Sequence, residues 1–409
     1  MNRIFRSSLV ILALLACFGL WVALPLLAED PVLEPVPHPQ ADIDEFARQA
    51  MEEQKLVGLA LGTVVDGQVA YLRGYGWQDR EAEIPVRSRK TAFRWASISK
   101  TLTAILAVQL SGQGLLDLDQ PIQQYLTSYQ PPVHYLEKCG EGEESEASQP
   151  CKGGKREVGL AEAERNISMR QLLGHLGGIM HYSNGRGSPV PPQSKANHAK
   201  TNQGFVWALD YFISKPLVAR PGTAHRYTTF GFNLAGAVIE KAGKRPFARQ
   251  LQERIAAPLG LKSLQPDYEW AEIPDRAVGY RLWGILNNRQ GSDDVSWKLP
   301  GGGVISTLED MTNYCKGLVG DEFLSQQEKE LLWTSQTTSD GKLTGYGLGF
   351  GVGNAAGQKR VSHGGSQQKA KTYLLAVPAK KSCVTVMSNS VQANPRRIAV
   401  GLLELLEKR

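Results

Sequence analysis

Apolar and polar positions follow two different periods along this chain, and the changes of period predict its elements. The stretch from Asp42 to Glu53 has a helical pattern. Two strand-like runs come next, Leu56 to Val65 and Gln68 to Gly76, and they flank the dipeptide Asp66-Gly67, a strong hairpin-turn signal. We therefore predict that the globular part begins with a helix followed by a β-hairpin.

The middle of the chain has the spacing of helices separated by Gly- and Pro-rich loops. Apolar residues recur at helical spacing from Ser97 to the region of Gly112 and Gly114, which predicts that Ser97 lies at a helix N-terminus. Four further helices are predicted at Met169 to Leu173, Gly204 to Ile213, Phe232 to Ala242 and Phe247 to Ile255. The polar segments 137–156 and 183–203 are predicted to be inserted loops, of which the second could shape a substrate cleft.

The last hundred residues return to short alternating runs. Strands of one antiparallel sheet are predicted at Gly347 to Val352, Arg360 to His363, Lys371 to Val377 and Cys383 to Met387. A closing amphipathic helix is predicted from Ile398, Leu402, Leu405 and Leu406. The expected fold class is α/β (α+β): an antiparallel sheet flanked by helices, built from both termini as 42–96 and 290–409, with a mostly helical part, 97–289, inserted between them.

Composition and charge narrow the range of function classes. A chain of 409 residues with 42% hydrophobic and 21% charged residues is typical of globular proteins and can hold one large enzyme. The net charge of +6 is spread along the chain and is not gathered in a basic block with interleaved aromatic residues. We therefore expect no nucleic-acid partner.

The N-terminus has the pattern of an export segment. Arg3 and Arg6 precede an apolar run from Leu9 to Ala28, which is as long as a membrane span but ends like a signal peptide. Residues 1–28 are predicted to be either a cleaved signal peptide or a retained membrane anchor, and 29–41 a linker. The expected location is periplasmic or extracytoplasmic, secreted or anchored to the inner membrane.

Four cysteines follow this segment. None of them has the spacing of a zinc site, so we expect neither a metal nor another cofactor. In an oxidising compartment Cys139 and Cys151 could form a disulfide across the short polar loop between them. Cys315 and Cys383 lie in apolar patterns and are predicted to be buried thiols.

The candidate chemistry starts at Ser97-Ile98-Ser99-Lys100. A serine and a lysine three residues apart lie on one helix face, so a neutral Lys100 amine could take the proton of the Ser97 hydroxyl. Burial beside another cationic group would lower the pKa of this lysine. Ser-x-x-Lys occurs about once by chance in a chain of this length, and a further copy, Ser366 to Lys369, lies between predicted strands. We take the first copy as the reactive one.

Two further motifs accompany it in order, Tyr227-Thr228-Thr229 and His363-Gly364-Gly365. Together the three resemble the motifs of serine β-lactamases and penicillin-binding proteins. Flanking residues such as Arg94-Trp95-Ala96 and Gly301-Gly302-Gly303 resemble the class C β-lactamase and D-Ala-D-Ala carboxypeptidase branch, peptidase family S12. Within that branch the chain looks most like the mitochondrial serine β-lactamase-like proteins and their bacterial relatives. The resemblance covers residues 42–409 and implies a β-lactamase/transpeptidase-like fold and an acyl-enzyme hydrolase.

The resemblance also implies roles for single residues. Ser97 would be the nucleophile, Lys100 the general base and Tyr227 a proton relay. The backbone N–H groups of Ser97 and Ser366 would form the oxyanion hole.

The third motif would form one wall of the cleft. Gly364 and Gly365 would allow close approach of the backbone, and His363 would still offer a hydrogen-bond donor. His175 and His181 lack an apparent third metal ligand, so we expect them to have structural roles.

Two residues depart from the family pattern. Thr229 replaces the usual asparagine, which removes an amide donor to the substrate, and His363 replaces the usual lysine. We therefore expect peptides, including D-amino-acid peptides of cell-wall type, or small esters as substrates, and at most weak β-lactam hydrolysis. The alternative is a penicillin-binding-like sensor or scaffold that does not turn over.

Overall fold

The structure, a computed structural model, describes residues 40–138, 154–182, 209–291 and 293–408. Several predictions concern segments outside these ranges: the N-terminal apolar run, the pairing of Cys139 with Cys151, the loop 183–203 and the first half, 204–208, of the helix predicted at 204–213. Across the described ranges, no helix combines the length and the apolar character needed to cross a membrane.

The described part begins with the predicted helix and hairpin. Helix α1 (Gln40–Gln54) leads into strands β1 (Gly58–Val65) and β2 (Gln68–Asp79). The turn residues Asp66 and Gly67 have φ angles of 49° and 76°, the left-handed pair that a two-residue type I′ turn requires. Both predictions are confirmed.

The main sheet combines strands from the two ends of the chain. Its other members are β3 (Ile84–Pro85), β11 (Gly351–Ala355), β12 (Gln358–Gln367), β13 (Ala370–Val377) and β14 (Ser382–Ser388). The order is β11-β12-β13-β14-β1-β2-β3, and every pair is antiparallel. At the centre Leu61 of β1 lies opposite Val386 of β14. The predicted fold class is confirmed, whereas the residue boundaries of its two parts stay a prediction.

Helices that follow the first hairpin dominate the middle of the chain, recur near its end and cover the sheet. They are α2 (Ser99–Gly112), α3 (Met169–Leu173), α4 (Phe230–Gly243), α5 (Phe247–Leu251), α6 (Ala257–Leu259), α7 (Leu299–Gly302), α8 (Leu308–Val319), α9 (Gln326–Trp333) and α10 (Pro395–Glu407). A π-helical turn, Gln252–Ala256, joins α5 to α6. The short strands β4 (Phe93–Arg94), β7 (Gln265–Pro266) and β10 (Val304–Ser306) form a small second sheet, and β8 (Tyr280–Trp283) pairs with β9 (Leu286–Arg289).

Apolar side chains fill both faces of the main sheet. Leu59 and Leu61 of β1 pack with Ile398 and Leu402 of α10 in one buried cluster. A larger cluster contains Ala60 of the same strand and the apolar side chains of α2, α4 and α8. Because β1 is buried on both faces, it is an almost continuous apolar run. The sheet thus lies between two helical layers. The layer of the larger cluster includes α2, which carries Lys100 of the Ser-x-x-Lys motif.

One predicted strand is misplaced by several residues. Extended structure was expected from Gly347 to Val352, but β11 begins only at Gly351. Gly345 and Gly349 have φ angles of 70° and 74°, and such left-handed positions interrupt a strand. The prediction of a loop over 137–156 also fails at its ends, because β5 (His134–Lys138) and β6 (Lys155–Gly159) form an antiparallel hairpin.

The prediction of two buried thiols is half right. Cys315 on α8 and Cys383 on β14 are both buried, but their sulfur atoms are joined in a disulfide. The two Cα atoms are 6.2 Å apart and 68 residues separate them in sequence. The packing of α8 on β14 brings them together, and no local sequence pattern reports such a contact.

Candidate active site

The backbone around Ser97 is held from two sides. Ser97 lies in a 3-10 turn that leads directly into α2. The carbonyl of the preceding Trp95 accepts a hydrogen bond from Thr372 Oγ1 at 2.9 Å, and its indole Nε1 donates to Ser306 Oγ at 2.7 Å. Ala96 has a φ of 49°, and strained backbone that its surroundings hold in place is typical of functional sites. The predicted place of Ser97 at a helix N-terminus is confirmed.

The side chain of Lys100 is completely buried and reaches three oxygens. Its Nζ lies 3.2 Å from Ser97 Oγ, 3.0 Å from Thr229 Oγ1 and 2.6 Å from the carbonyl oxygen of Gly301. Burial lowers the pKa of Lys100 well below its ordinary value, and the charge of Lys298 lowers it further. The amine is therefore held in conditions that favour its neutral form.

The partners of Lys100 match the needs of a neutral amine. Such an amine has two N–H donors and one lone pair, whereas an ammonium has three donors and no lone pair. Gly301 O and Thr229 Oγ1 can accept the two N–H groups. The lone pair is then left for the hydroxyl of Ser97, as general-base chemistry requires.

Two imidazoles hold the second motif in place. His175 Nδ1 accepts the backbone N–H of Thr228, and His181 Nδ1 accepts that of Thr229, both at 3.1 Å. These bonds occupy the lone pairs that a metal ion would need. Both histidines instead fix the loop that carries Tyr227.

Tyr227 faces the nucleophile. Its hydroxyl is hydrogen-bonded to the side chain of Ser97, and burial of that hydroxyl raises the pKa of Tyr227 above its ordinary value. The ring is nevertheless 37% exposed, so it borders open space. Lys100 Nζ lies 5.0 Å from the ring centroid. The phenol is therefore a neutral donor that contacts the reacting atoms.

His363 differs from its expected behaviour. Its Nδ1 donates to the carbonyl oxygen of Gly364 at 2.8 Å, so its Nε2 accepts from the hydroxyl of Tyr346 at 2.9 Å. Burial lowers the pKa of His363 to about 3, with a smaller contribution from Lys100. The ring is neutral, and its N–H is used within its own strand, so the donor expected to face a substrate is already engaged.

The edge of β12 borders the cleft. Its pairing with β11 ends at Ser362, and the following residues have β13 as their strand neighbour. A Cβ at Gly365 would lie 2.4 Å from Trp95 O and 3.0 Å from Ala96 Cβ. Only glycine allows this approach, which brings the backbone of the third motif against the turn that holds Ser97.

The Ser-x-x-Lys copy at Ser366 to Lys369 has the setting predicted for it. Ser366 lies on β12, and Lys369 lies in the turn that leads into β13, with a φ of 69°. Ser366 Oγ accepts a hydrogen bond from Lys371 Nζ at 2.6 Å. The two residues of this copy therefore do not share a helix face.

Lys298 is a site residue that the sequence analysis missed. Its side chain is 6% exposed, and its Nζ lies 5.1 Å from the ring centroid of Tyr182 and 5.4 Å from that of Trp297. Burial lowers the pKa of Lys298 to about 8, partly opposed by Asp293. The sequence offered one signal for this residue, its position three residues before Gly301-Gly302-Gly303. Sequence spacing alone does not show that the side chain enters the cleft.

The chain is similar to known proteins over most of its length. The Beta-lactamase family matches residues 43–407. The serine beta-lactamase-like protein LACTB, mitochondrial, of Mus musculus is 24% identical over 88% of this chain and 76% of its own length. Esterase EstB of Burkholderia gladioli is 27% identical over 54% of this chain and 50% of its own length.

Solved structures share the fold. The beta-lactamase/D-alanine carboxypeptidase from Yersinia pestis superimposes with a TM-score of 0.67 at 20% identity, over 90% of this chain and 97% of that one. At this identity the similarity shows the fold alone, whereas the family match spans nearly the whole described part of the chain. The chain therefore belongs to the beta-lactamase family, a family of serine hydrolases.

Proposed function

We propose that the protein cleaves amide or ester bonds through an acyl-enzyme on Ser97. The observation that carries this is the set of contacts of Lys100, whose two hydrogen-bond acceptors leave its lone pair for the Ser97 hydroxyl at 3.2 Å. Ser97 Oγ attacks the carbonyl carbon while its proton passes to Lys100. Tyr227 then relays a proton to the leaving group as the C–N or C–O bond breaks. Water attacks the acyl ester, which releases the acid and restores Ser97.

The oxyanion of the tetrahedral intermediate needs two donors. We assign this role to the backbone N–H groups of Ser97 and Ser366. The close approach at Gly365 supports the assignment, because it brings β12 against the turn that holds Ser97. Gly364 and Thr229 would line the substrate site beside them.

The substrates proposed are peptides, including D-amino-acid peptides, and small esters. The esterase among the similar proteins supports the choice of esters. β-Lactam hydrolysis should be weak at most, because a neutral His363 replaces the usual lysine and the hydroxyl of Thr229 replaces the usual asparagine amide. We further propose an extracytoplasmic location, which the Cys315–Cys383 disulfide favours.

A fluorophosphonate probe tests the nucleophile directly. We expect one adduct per chain on the peptide that contains Ser97, because the activated hydroxyl displaces fluoride and forms an O–P bond. Mass spectrometry of the digested protein locates the adduct. Folded protein that stays unlabelled would contradict the proposal. A penicillin adduct that persists, without turnover of any ester or peptide, would instead support the penicillin-binding-like sensor.

The pH profile tests the electrostatic link between the two buried lysines. Lys298→Met should move the ascending limb of kcat/KM to higher pH. The charge of Lys298 lowers the pKa of Lys100, so its removal raises that pKa, and the neutral base then forms only at higher pH. Lys298→Arg keeps the charge and should leave the limb near its wild-type position. A limb that does not move in Lys298→Met would show that Lys298 does not affect the base.

A further inference from the structure

A buried cation in the cleft lacks an anionic partner. Lys298 is 6% exposed, yet among the described residues its ammonium has neither a hydrogen-bond acceptor nor a carboxylate within salt-bridge distance. The carboxylates whose charges raise the pKa of Lys298 have other partners. Asp293 pairs with Arg94 at 3.0 Å, Asp267 lies between Arg94 and Arg276, and Asp294 accepts the backbone N–H of Ser296 at 2.8 Å.

Lys298 ends a 3-10 turn that leads into α7, and this segment is attached to its surroundings. Asn233 Nδ2 donates to Trp297 O at 2.9 Å, and Thr103 Oγ1 donates to Pro300 O at 2.6 Å. Lys100 holds the next carbonyl, that of Gly301. The ring contacts with Tyr182 and Trp297 stabilise the cation without neutralising it. The backbone that carries the ammonium is thus held in place before any ligand arrives.

A second unpartnered donor lies close by. Gln367 ends β12 on the same face as His363 and Gly365, and its amide Nε2 is buried without a hydrogen-bond partner among the described residues. A Cβ at Gly302 would lie 3.6 Å from Gln367 Oε1 and 3.6 Å from Lys298 Cδ. The two side chains therefore flank the small gap that Gly302 leaves.

Lys298 also lies near the reacting groups. Its charge lowers the pKa values of both Lys100 and His181. His363, at the position where the family carries a lysine, is neutral, and Lys371 already donates to Ser366 Oγ. Among these groups Lys298 is the cation left to pair with a charged substrate.

We propose that Lys298 and Gln367 form an anion subsite that binds a carboxylate group of the substrate. This inference rests on the proposed function, because it assigns the substrate class of the same site. One ammonium and one amide donor match the two oxygens of a carboxylate. Binding would also relieve the cost of an unpaired buried charge. The carboxylate belongs either to the acyl group or to the leaving group, and substrates charged on one side or the other distinguish these two cases.

Substrate pairs that differ only in this charge test the proposal. One pair is p-nitrophenyl succinate and p-nitrophenyl butyrate, which places the carboxylate on the acyl side. The other is N-acetyl-D-alanyl-D-alanine and its C-terminal amide, which places it on the leaving group. We expect Lys298→Met to lower kcat/KM of the acidic member of one pair by about 10- to 100-fold more than that of the neutral member, the loss typical of a hydrogen bond to a charged group. The pair that responds identifies the side.

Both substrates of a pair depend equally on the effect of Lys298 on Lys100. The ratio of their kcat/KM values therefore cancels that effect. Lys298→Arg should retain most of the preference, and Lys241→Met, which removes an exposed charge on α4, should retain all of it. Gly302→Ala should weaken the preference, because the added methyl group enters the gap at ordinary contact distances. Unchanged ratios for both pairs in folded Lys298→Met would overturn the inference and leave the proposed function standing.

Equilibrium binding separates the two proposals if turnover is absent. Calorimetry with glutarate should detect binding to the Ser97→Ala protein and at least about tenfold weaker binding to the same protein with Lys298→Met. Binding without turnover of any ester or peptide by the wild-type protein would contradict the proposed function alone. Glutarate binding that does not depend on Lys298, or its absence, would overturn the subsite.

Discussion

Ser97→Ala is expected to lower kcat/KM for esters and peptides by at least about 10³-fold, because removal of the nucleophile leaves only binding and oxyanion stabilisation. The fold should persist. The Ser97 hydroxyl makes one hydrogen bond with Lys100 and contacts Tyr227, so the free energy of unfolding should change by no more than about 1 kcal/mol. Steady-state kinetics and chemical denaturation measure the two quantities.

The labelling experiment provides the internal control for this variant. Ser97→Ala should lose the fluorophosphonate adduct along with turnover. Ser382→Ala, at the first residue of β14, should keep both, since its hydroxyl donates to the Lys380 carbonyl. Residual turnover in Ser97→Ala above about one tenth of the wild-type value would mean that another group is the nucleophile.

Replacement of Lys100 is expected to be almost as damaging to activity, and its two variants should lose different amounts of stability. Both Lys100→Met and Lys100→Arg should lower kcat/KM by about 10²- to 10⁴-fold, because methionine is no base and arginine stays protonated. Lys100→Arg also places a permanent charge in a fully buried position, which should cost several kcal/mol of unfolding free energy. Lys100→Met leaves the Gly301 carbonyl without this donor, a loss of about 1 to 3 kcal/mol.

Lys369→Met is the matched control for this pair, because Lys369 is the lysine of the Ser-x-x-Lys copy that begins at Ser366. It lies in the turn between β12 and β13 and should leave kcat/KM close to the wild-type value. A Lys369 variant as inactive as Lys100→Met, or a Lys100→Met protein with near-normal activity at neutral pH, would contradict the assignment of the base. Thermal unfolding of all three variants separates a chemical defect from misfolding.

The sequence predicted those parts of the site that depend on short-range geometry. A serine and a lysine at positions 97 and 100 share a helix face whatever surrounds the helix, and the structure places their side chains 3.2 Å apart. The Asp66-Gly67 turn is equally local, since its two left-handed residues fix the hairpin between them. The order of the three motifs resembles that of serine β-lactamases and penicillin-binding proteins, and this resemblance placed Tyr227 and Gly365 in the same site as the helix.

The features that were missed depend on contacts between distant parts of the chain. Lys298 enters the cleft because Asn233 and Thr103 hold the carbonyls of its segment. Tyr346 and the Gly364 carbonyl determine which nitrogen of His363 carries the proton. No spacing along the chain encodes these pairings.

Two levels of information therefore define this protein. The sequence by itself determined the fold class, the helix start at Ser97 and the closeness of Ser97 to Lys100, because periodicity and a spacing of three residues are properties of the chain. The tertiary structure alone decided the neutral state of His363, the Cys315–Cys383 bond and the unpaired charge of Lys298. Burial and partner geometry control protonation and pairing, and both exist only after the chain has folded.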